Sequence, residues 1–159
     1  MENTNNNKAL KKSVKKNSQV KSTLMQNVDL PVNSFSQMIS KKPNIVNSID
    51  EQGETLLSYA IKQKKNDICQ LILRSKILDL NYRDKNGNTY LHLAVLYKSE
   101  KMVKALIQKG ININMQNKSG NTCLHLAFLN NFYSIIPFLK NNKADITIIN
   151  KNNKIPEVL

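Results

Sequence analysis

Short apolar stripes alternate with polar turns along most of this chain, and the stripes keep a helical period. Ile68, Leu71 and Ile72 form one i, i+3/i+4 set. Met102, Val103 and Leu106 form a second, and Ile135, Ile136 and Leu139 a third. Before each stripe lies a short apolar segment with a small residue at its centre: Leu56 to Ala60, Leu91 to Ala94 and Leu124 to Ala127. Such segments predict pairs of amphipathic helices, the alanines letting neighbouring helices approach closely. Ser34 to Ile39 offers one further short apolar helix.

The turns between these pairs repeat. Asp84-Lys85-Asn86-Gly87-Asn88-Thr89-Tyr90-Leu91-His92-Leu93-Ala94 recurs as Asn117-Lys118-Ser119-Gly120-Asn121-Thr122-Cys123-Leu124-His125-Leu126-Ala127. A weaker copy runs from Asp50 through Gly53 and Thr55 to Ala60. The glycines are offset by 87 − 53 = 34 and 120 − 87 = 33 residues. Asp or Asn followed by Gly makes a tight turn in which the glycine takes positive φ. Thr55, Thr89 and Thr122 then stand at the N-cap position, their hydroxyls placed to accept from an orphan backbone N–H. His92 and His125 follow three residues later, where a capping box usually places Glu or Gln. Asn47, Asn81 and Asn114 keep the same period, six residues ahead of each turn glycine.

A turn and two helices at a period of 33 mark a stacked-repeat protein. The segments Thr89-Tyr90-Leu91-His92-Leu93-Ala94 and Thr122-Cys123-Leu124-His125-Leu126-Ala127 resemble the T-P-L-H-x-A signature of the ankyrin repeat family. The resemblance implies an all-α ankyrin-repeat solenoid of stacked helix-turn-helix units with hairpin-like turns. Read this way, residues 1–31 are expected to be a basic, Asn/Lys-rich flexible arm and residues 32–159 the repeat domain. The domain divides into a half repeat at 33–49, full repeats at 50–83, 84–116 and 117–149, and a partial repeat at 150–159. The half repeat is expected to cap the first full repeat. Lys98 and Asn131 depart from the family by replacing the usual inter-helix glycine, and Ser58 stands where the other copies have His. Pro137 should kink or delay the third outer helix. The short fourth copy suggests a C-terminal face that stays exposed or is covered by a partner.

Charge changes the picture less than its size suggests. The formal net charge is +13, which invites a nucleic-acid or anionic-membrane reading. The cations, however, are 22 Lys and only two Arg, Arg74 and Arg83, beside 24 Asn. Bidentate phosphate and base recognition favours Arg. A nucleic-acid-associated protein using the arm and groove is therefore the alternative and not the main reading. Lysines in the arm leave peripheral membrane contact and a weak nuclear-import patch as lesser readings. No apolar run reaches the length of a membrane span, and Met1 is followed by polar residues with Glu2 second. An intracellular protein of cytoplasm or nucleus is the expectation.

Candidate chemistry is sparse. The two histidines lie one repeat apart, too far to share a metal. Cys69 and Cys123 lie about two repeats apart, too far for a disulfide. No catalytic constellation, phosphate loop or paired acid appears, so neither an enzyme nor a cofactor is expected. The resemblance implies instead a protein partner held in a concave groove of turn tips and inner helices. The groove candidates are Glu51, Glu54, Arg83, Lys85 and Lys118 as a polarised strip, with Leu96, Tyr97 and Leu129 as an apolar anchor. Gly53, Gly87, Gly120, Thr55, Thr89, Thr122, His92 and His125 are assigned to structure.

Overall fold

The computed structural model describes residues 26–157. The basic arm up to residue 25, with its import-patch and membrane readings, lies outside the described residues, as do 158–159. After helical residues 26–28, seven α-helices follow one another among the described residues: α1 Val32–Lys41, α2 Leu56–Lys62, α3 Asn66–Leu73, α4 Tyr90–Leu96, α5 Glu100–Gln108, α6 Cys123–Leu129 and α7 Ile136–Asn141. Each full repeat packs its own pair, α2 on α3, α4 on α5 and α6 on α7. The inner helices α2, α4 and α6 stack in order, and the outer helices α3 and α5 stack beside them. The chain is thus an all-α solenoid, with no strand among the described residues and one isolated bridge between Ile49 and Thr55.

The inner helices are only seven residues long, too short to hold together on propensity alone. Packing holds them: all but the last residue of α2 and of α4 is buried, and Ala60, Ala94 and Ala127 are fully enclosed. Each inner helix ends in a Schellman-type turn. Lys65, Ser99 and Phe132 N–H donate to the carbonyls of Ala60, Ala94 and Ala127. The turn forces Lys64, Lys98 and Asn131 to φ +55°, +51° and +53°. That conformation costs a residue with a Cβ about 1–2 kcal/mol, so the absence of the usual glycine leaves the connection intact at an energetic cost. Pro137 sits in the first turn of α7, which is preceded by a 3-10 turn at Tyr133–Ile135. The proline delays the α-helix, because its missing N–H is harmless only at the start.

At the N-terminal end α1 contributes buried Phe35, and the 3-10 turn Pro43–Asn47 contributes buried Val46. The packed region starts earlier than the boundary at residue 31. Val28 is 2% exposed within the core, Leu30 packs against it, and Asp29 pairs with Lys65 at 3.2 Å. A valine and a leucine in a lysine-rich segment find an apolar seat that composition alone does not announce.

Four turns rise from the stack with one construction. In each, an Asp or Asn side-chain oxygen accepts from the backbone N–H groups two and four residues on. Asp50 serves Gln52 and Glu54, and Asp84 serves Asn86 and Asn88. Asn117 serves Ser119 and Asn121, and Asn150 serves Asn152 and Lys154. Asn153 takes φ +55° where the other turns have glycine, a conformation Asn tolerates better than most residues.

Candidate functional site

Each inner helix opens on a capping box, and in two of them the box also ties one repeat to the next. His92 Nδ1 accepts from the Thr89 backbone N–H at 3.1 Å and faces the Thr89 hydroxyl at 2.9 Å. Its Nε2 lies 2.9 Å from the carbonyl of Asn121 in the following turn. A carbonyl only accepts, so Nε2 carries the proton and Nδ1 does not. His125 repeats the arrangement, with Nδ1 on Thr122 and Nε2 donating to the Lys154 carbonyl at 3.0 Å. His92 is 1% exposed, and burial pushes its pKa down to about 4; burial lowers that of His125 as well. Both rings are neutral hydrogen-bond relays at neutral pH. Neither has a lone pair to offer a metal, and no group of three or more His, Cys, Asp or Glu able to hold one occurs among the described residues.

The turns stack through a parallel set of contacts. Lys118 N–H donates to the Asn86 carbonyl at 2.9 Å, and Lys151 N–H to the Ser119 carbonyl at 3.1 Å. Asn117 Nδ2 donates to Asn88 Oδ1, and Asn150 Nδ2 to Asn121 Oδ1. The approach is close enough that a Cβ on Gly87 would lie 3.0 Å from Lys118 N, and one on Gly120 only 2.6 Å from Lys151 N. Gly53 has nothing within 4 Å of the same point. Glycine at 87 and 120 is thus demanded both by φ and by the neighbouring backbone.

Of the groove candidates, two are engaged within the chain. Glu54 is half-buried, ion-paired with Lys62 and within 2.7 Å of the Ser58 hydroxyl. Arg83 donates to the Gln116 carbonyl at 3.0 Å and approaches that of Gly87 at 3.4 Å, bracing adjacent turns. Glu51, Lys85 and Lys118 stand exposed at the tips. Tyr97 is 36% exposed and Leu129 51%; Leu96 is half-buried and packs against the core. Leu96 and Leu129 hold the same register on α4 and α6, which pack side by side, and Tyr97 caps the end of α4. The apolar candidates therefore lie at the far ends of the inner helices, while the charged ones lie at the tips.

Lys151, in the partial repeat at 150–159, is exposed at the fourth tip and belongs with Lys85 and Lys118, although it is not among the groove candidates named from the sequence. Its signal was available, since 118 + 33 = 151. The cysteines take no part in a site. Both are free and buried, burial pushes each thiol up to about 12, and Cys123 Sγ lies 3.2 Å from the Ile113 carbonyl. Such thiols are inert packing residues. No described helix is long and apolar enough to cross a membrane.

Comparison with known proteins agrees with this architecture. A family model described as ankyrin repeats (3 copies) matches residues 2–117 and 77–150. An ankyrin repeat protein of fowlpox virus is 35% identical over 119 residues, covering 75% of this chain and 28% of the relative. An ankyrin repeat protein of Acanthamoeba polyphaga mimivirus is 34% identical over 106 residues, 67% of this chain and 14% of the relative. Alpha-latrotoxin-Lg1a of Latrodectus geometricus is 39% identical over 54 residues, 33% of this chain and 4% of the toxin. The chain thus spans less than a third of the length of each of these relatives.

Proposed function

The chain belongs to the ankyrin repeat family, and from that premise we propose that it is a non-catalytic protein-binding module, an adaptor or regulatory unit. Ankyrin repeats are in general protein–protein interaction modules, but a fold does not name a partner. The observation that carries the reading here is the exposure of Tyr97 and Leu129 on two inner helices packed side by side. Both side chains are exposed, while Leu93, Ala94, Leu126 and Ala127 of the same two helices are buried. An exposed tyrosine and leucine rimmed by polar groups form the anchor a recognition surface needs. The polar parts of the molecule serve construction: both histidines, all three threonine caps and the turn asparagines are spent on hydrogen bonds within the stack.

The test is the double variant Tyr97→Ala, Leu129→Ala in the full chain. Unchanged thermal stability with loss of the bound partner supports the reading. A drop of several degrees in Tm shows instead that both side chains belong to the fold, and removes the anchor.

A further inference from the structure

The turn tips carry a charge register that narrows the partner's chemistry. Glu51, Lys85, Lys118 and Lys151 occupy one position in four successive turns, offset by 34, 33 and 33 residues. All four are exposed, and none of the three lysines is in an ion pair among the described residues. The three lysine-bearing turns are also the three joined to one another through backbone N–H groups of Lys118 and Lys151. Within a turn the arms are bonded to each other, Asp84 N–H to the Asn88 carbonyl and Asn117 N–H to that of Asn121. Successive turns therefore follow the stacking of the helices beneath them, about 8–10 Å apart. Three exposed lysines outside any ion pair among the described residues thus stand one to a turn, on turns joined to one another.

We propose that this row binds an acidic segment in polyproline II conformation that carries Asp or Glu at every third residue. The proposal rests on the protein-binding reading above and specifies the partner that the tips accept. Polyproline II has three residues per turn and rises about 3.1 Å per residue, so residues i, i+3 and i+6 share a face at about 9.3 Å. A β-strand presents one face every second residue, at about 6.6–6.8 Å, which falls out of step with the row after one lysine. A helix needs seven residues for about 10.5 Å and an apolar seat. The tips offer it none, since Lys85, Asn86, Lys118, Ser119, Lys151 and Asn152 are polar and exposed. Nucleic acid is disfavoured by the same surface. No aromatic side chain stands at the tips for bases to stack on, and the only arginine of the row's arms, Arg83, is bound to the carbonyl of Gln116. Glu51, before the first lysine, repels an acidic segment and fixes where it ends.

The test uses the full chain and fluorescence anisotropy at low salt. The probe is a labelled peptide of four Glu-Pro-Pro units. Its controls are a peptide of the same composition with all glutamates at one end, a helical peptide with glutamate every seventh residue, and a single-stranded oligonucleotide. The spaced peptide is expected to bind at least about fivefold more tightly than each control. Each of Lys85→Ala, Lys118→Ala and Lys151→Ala should weaken it about two- to fivefold, the magnitude of one exposed ion pair. The triple charge reversal to Glu should abolish binding. Equal binding of the clustered peptide would overturn the proposal, as charge alone would then suffice. Tighter binding of the helical peptide or the oligonucleotide, or no binding of the spaced peptide, overturns it too. Tyr97→Ala with Leu129→Ala should leave this probe unaffected, so failure of the row and failure of the apolar anchor are read separately.

Discussion

The junction between the first and second full repeats and the junction between the second and third join the same kinds of helices by different chemistry. At the second junction polar groups lace every level: the His92 relay to Asn121, the Lys118 backbone bond at the tips, and Gln116, whose Nε2 donates to the Ile149 carbonyl. Below them Asn114 bridges to Lys143 and Asp145. At the first junction Arg83 still reaches the Gln116 carbonyl, but the other three contacts have no counterpart among the described residues. Ser58 replaces the histidine and closes its own capping box, but a hydroxyl is too short to cross to the next turn. In their place is an aromatic seam. Tyr82 and Tyr90 stack with ring centroids 4.6 Å apart, Tyr82 Oη donates to the Gly53 carbonyl, and Tyr90 Oη shares a hydrogen bond with Thr55 Oγ1. The difference teaches that a repeat protein tolerates loss of its signature residues where large side chains fill the same gap, and that only the laced junction fixes the spacing of the tips.

The largest contrast should come from the glycines. Gly120→Ala forces a Cβ to within 2.6 Å of Lys151 N at positive φ and should cost about 3–5 kcal/mol, strain and overpacking together. Gly53→Ala meets open space and should cost only the conformational strain, about 1–2 kcal/mol. Chemical denaturation of the two variants reads the difference directly, and equal losses would erase the distinction between the open first turn and the closely stacked third.

Acid should act next, and on the laced junction. His92 titrates near 4 when folded, against 6.5 for the free side chain. Its stabilising contribution is therefore present above about pH 6.5 and is lost as the pH falls toward 4, where the folded ring also takes a proton. The loss over that window is on the order of 3 kcal/mol, because the buried ring would have to carry a charge away from water. A His92→Gln variant should flatten that pH dependence, while Ser58→Ala should leave it in place. A smaller effect is expected at the aromatic seam. Tyr90→Phe keeps the stack but removes the bond to Thr55, and should cost about 1 kcal/mol with no change in pH dependence.

Much of this architecture is legible in the residues. The turn from Asp or Asn to Gly, the Thr caps and the histidines three residues later each act within a few positions of chain, so their partners are fixed locally. The period of Asn47, Asn81 and Asn114 is legible too, but its use is not. Asn47 and Asn114 bridge to the next repeat, whereas Asn81 makes no such bridge among the described residues. What the chain hides is whatever depends on a neighbour beyond the local turn. Glu54 is spent on Lys62 across the turn, Arg83 is spent on Gln116, and Leu96 is half-covered while Leu129 is bare. The Tyr82–Tyr90 stack joins residues eight positions apart across a turn, a separation with no periodic signature.

The central claim is that the tips of the second, third and fourth turns form one locked row, with the first turn outside it. Residue-resolved hydrogen exchange on the intact chain tests this most directly. The amides of Lys118 and Lys151, bonded across turns, should be protected, and that of Lys85, which has no such partner, should exchange freely. Comparable protection at Lys85 would place the first turn in the same row, and rapid exchange at Lys118 and Lys151 would dissolve the row altogether.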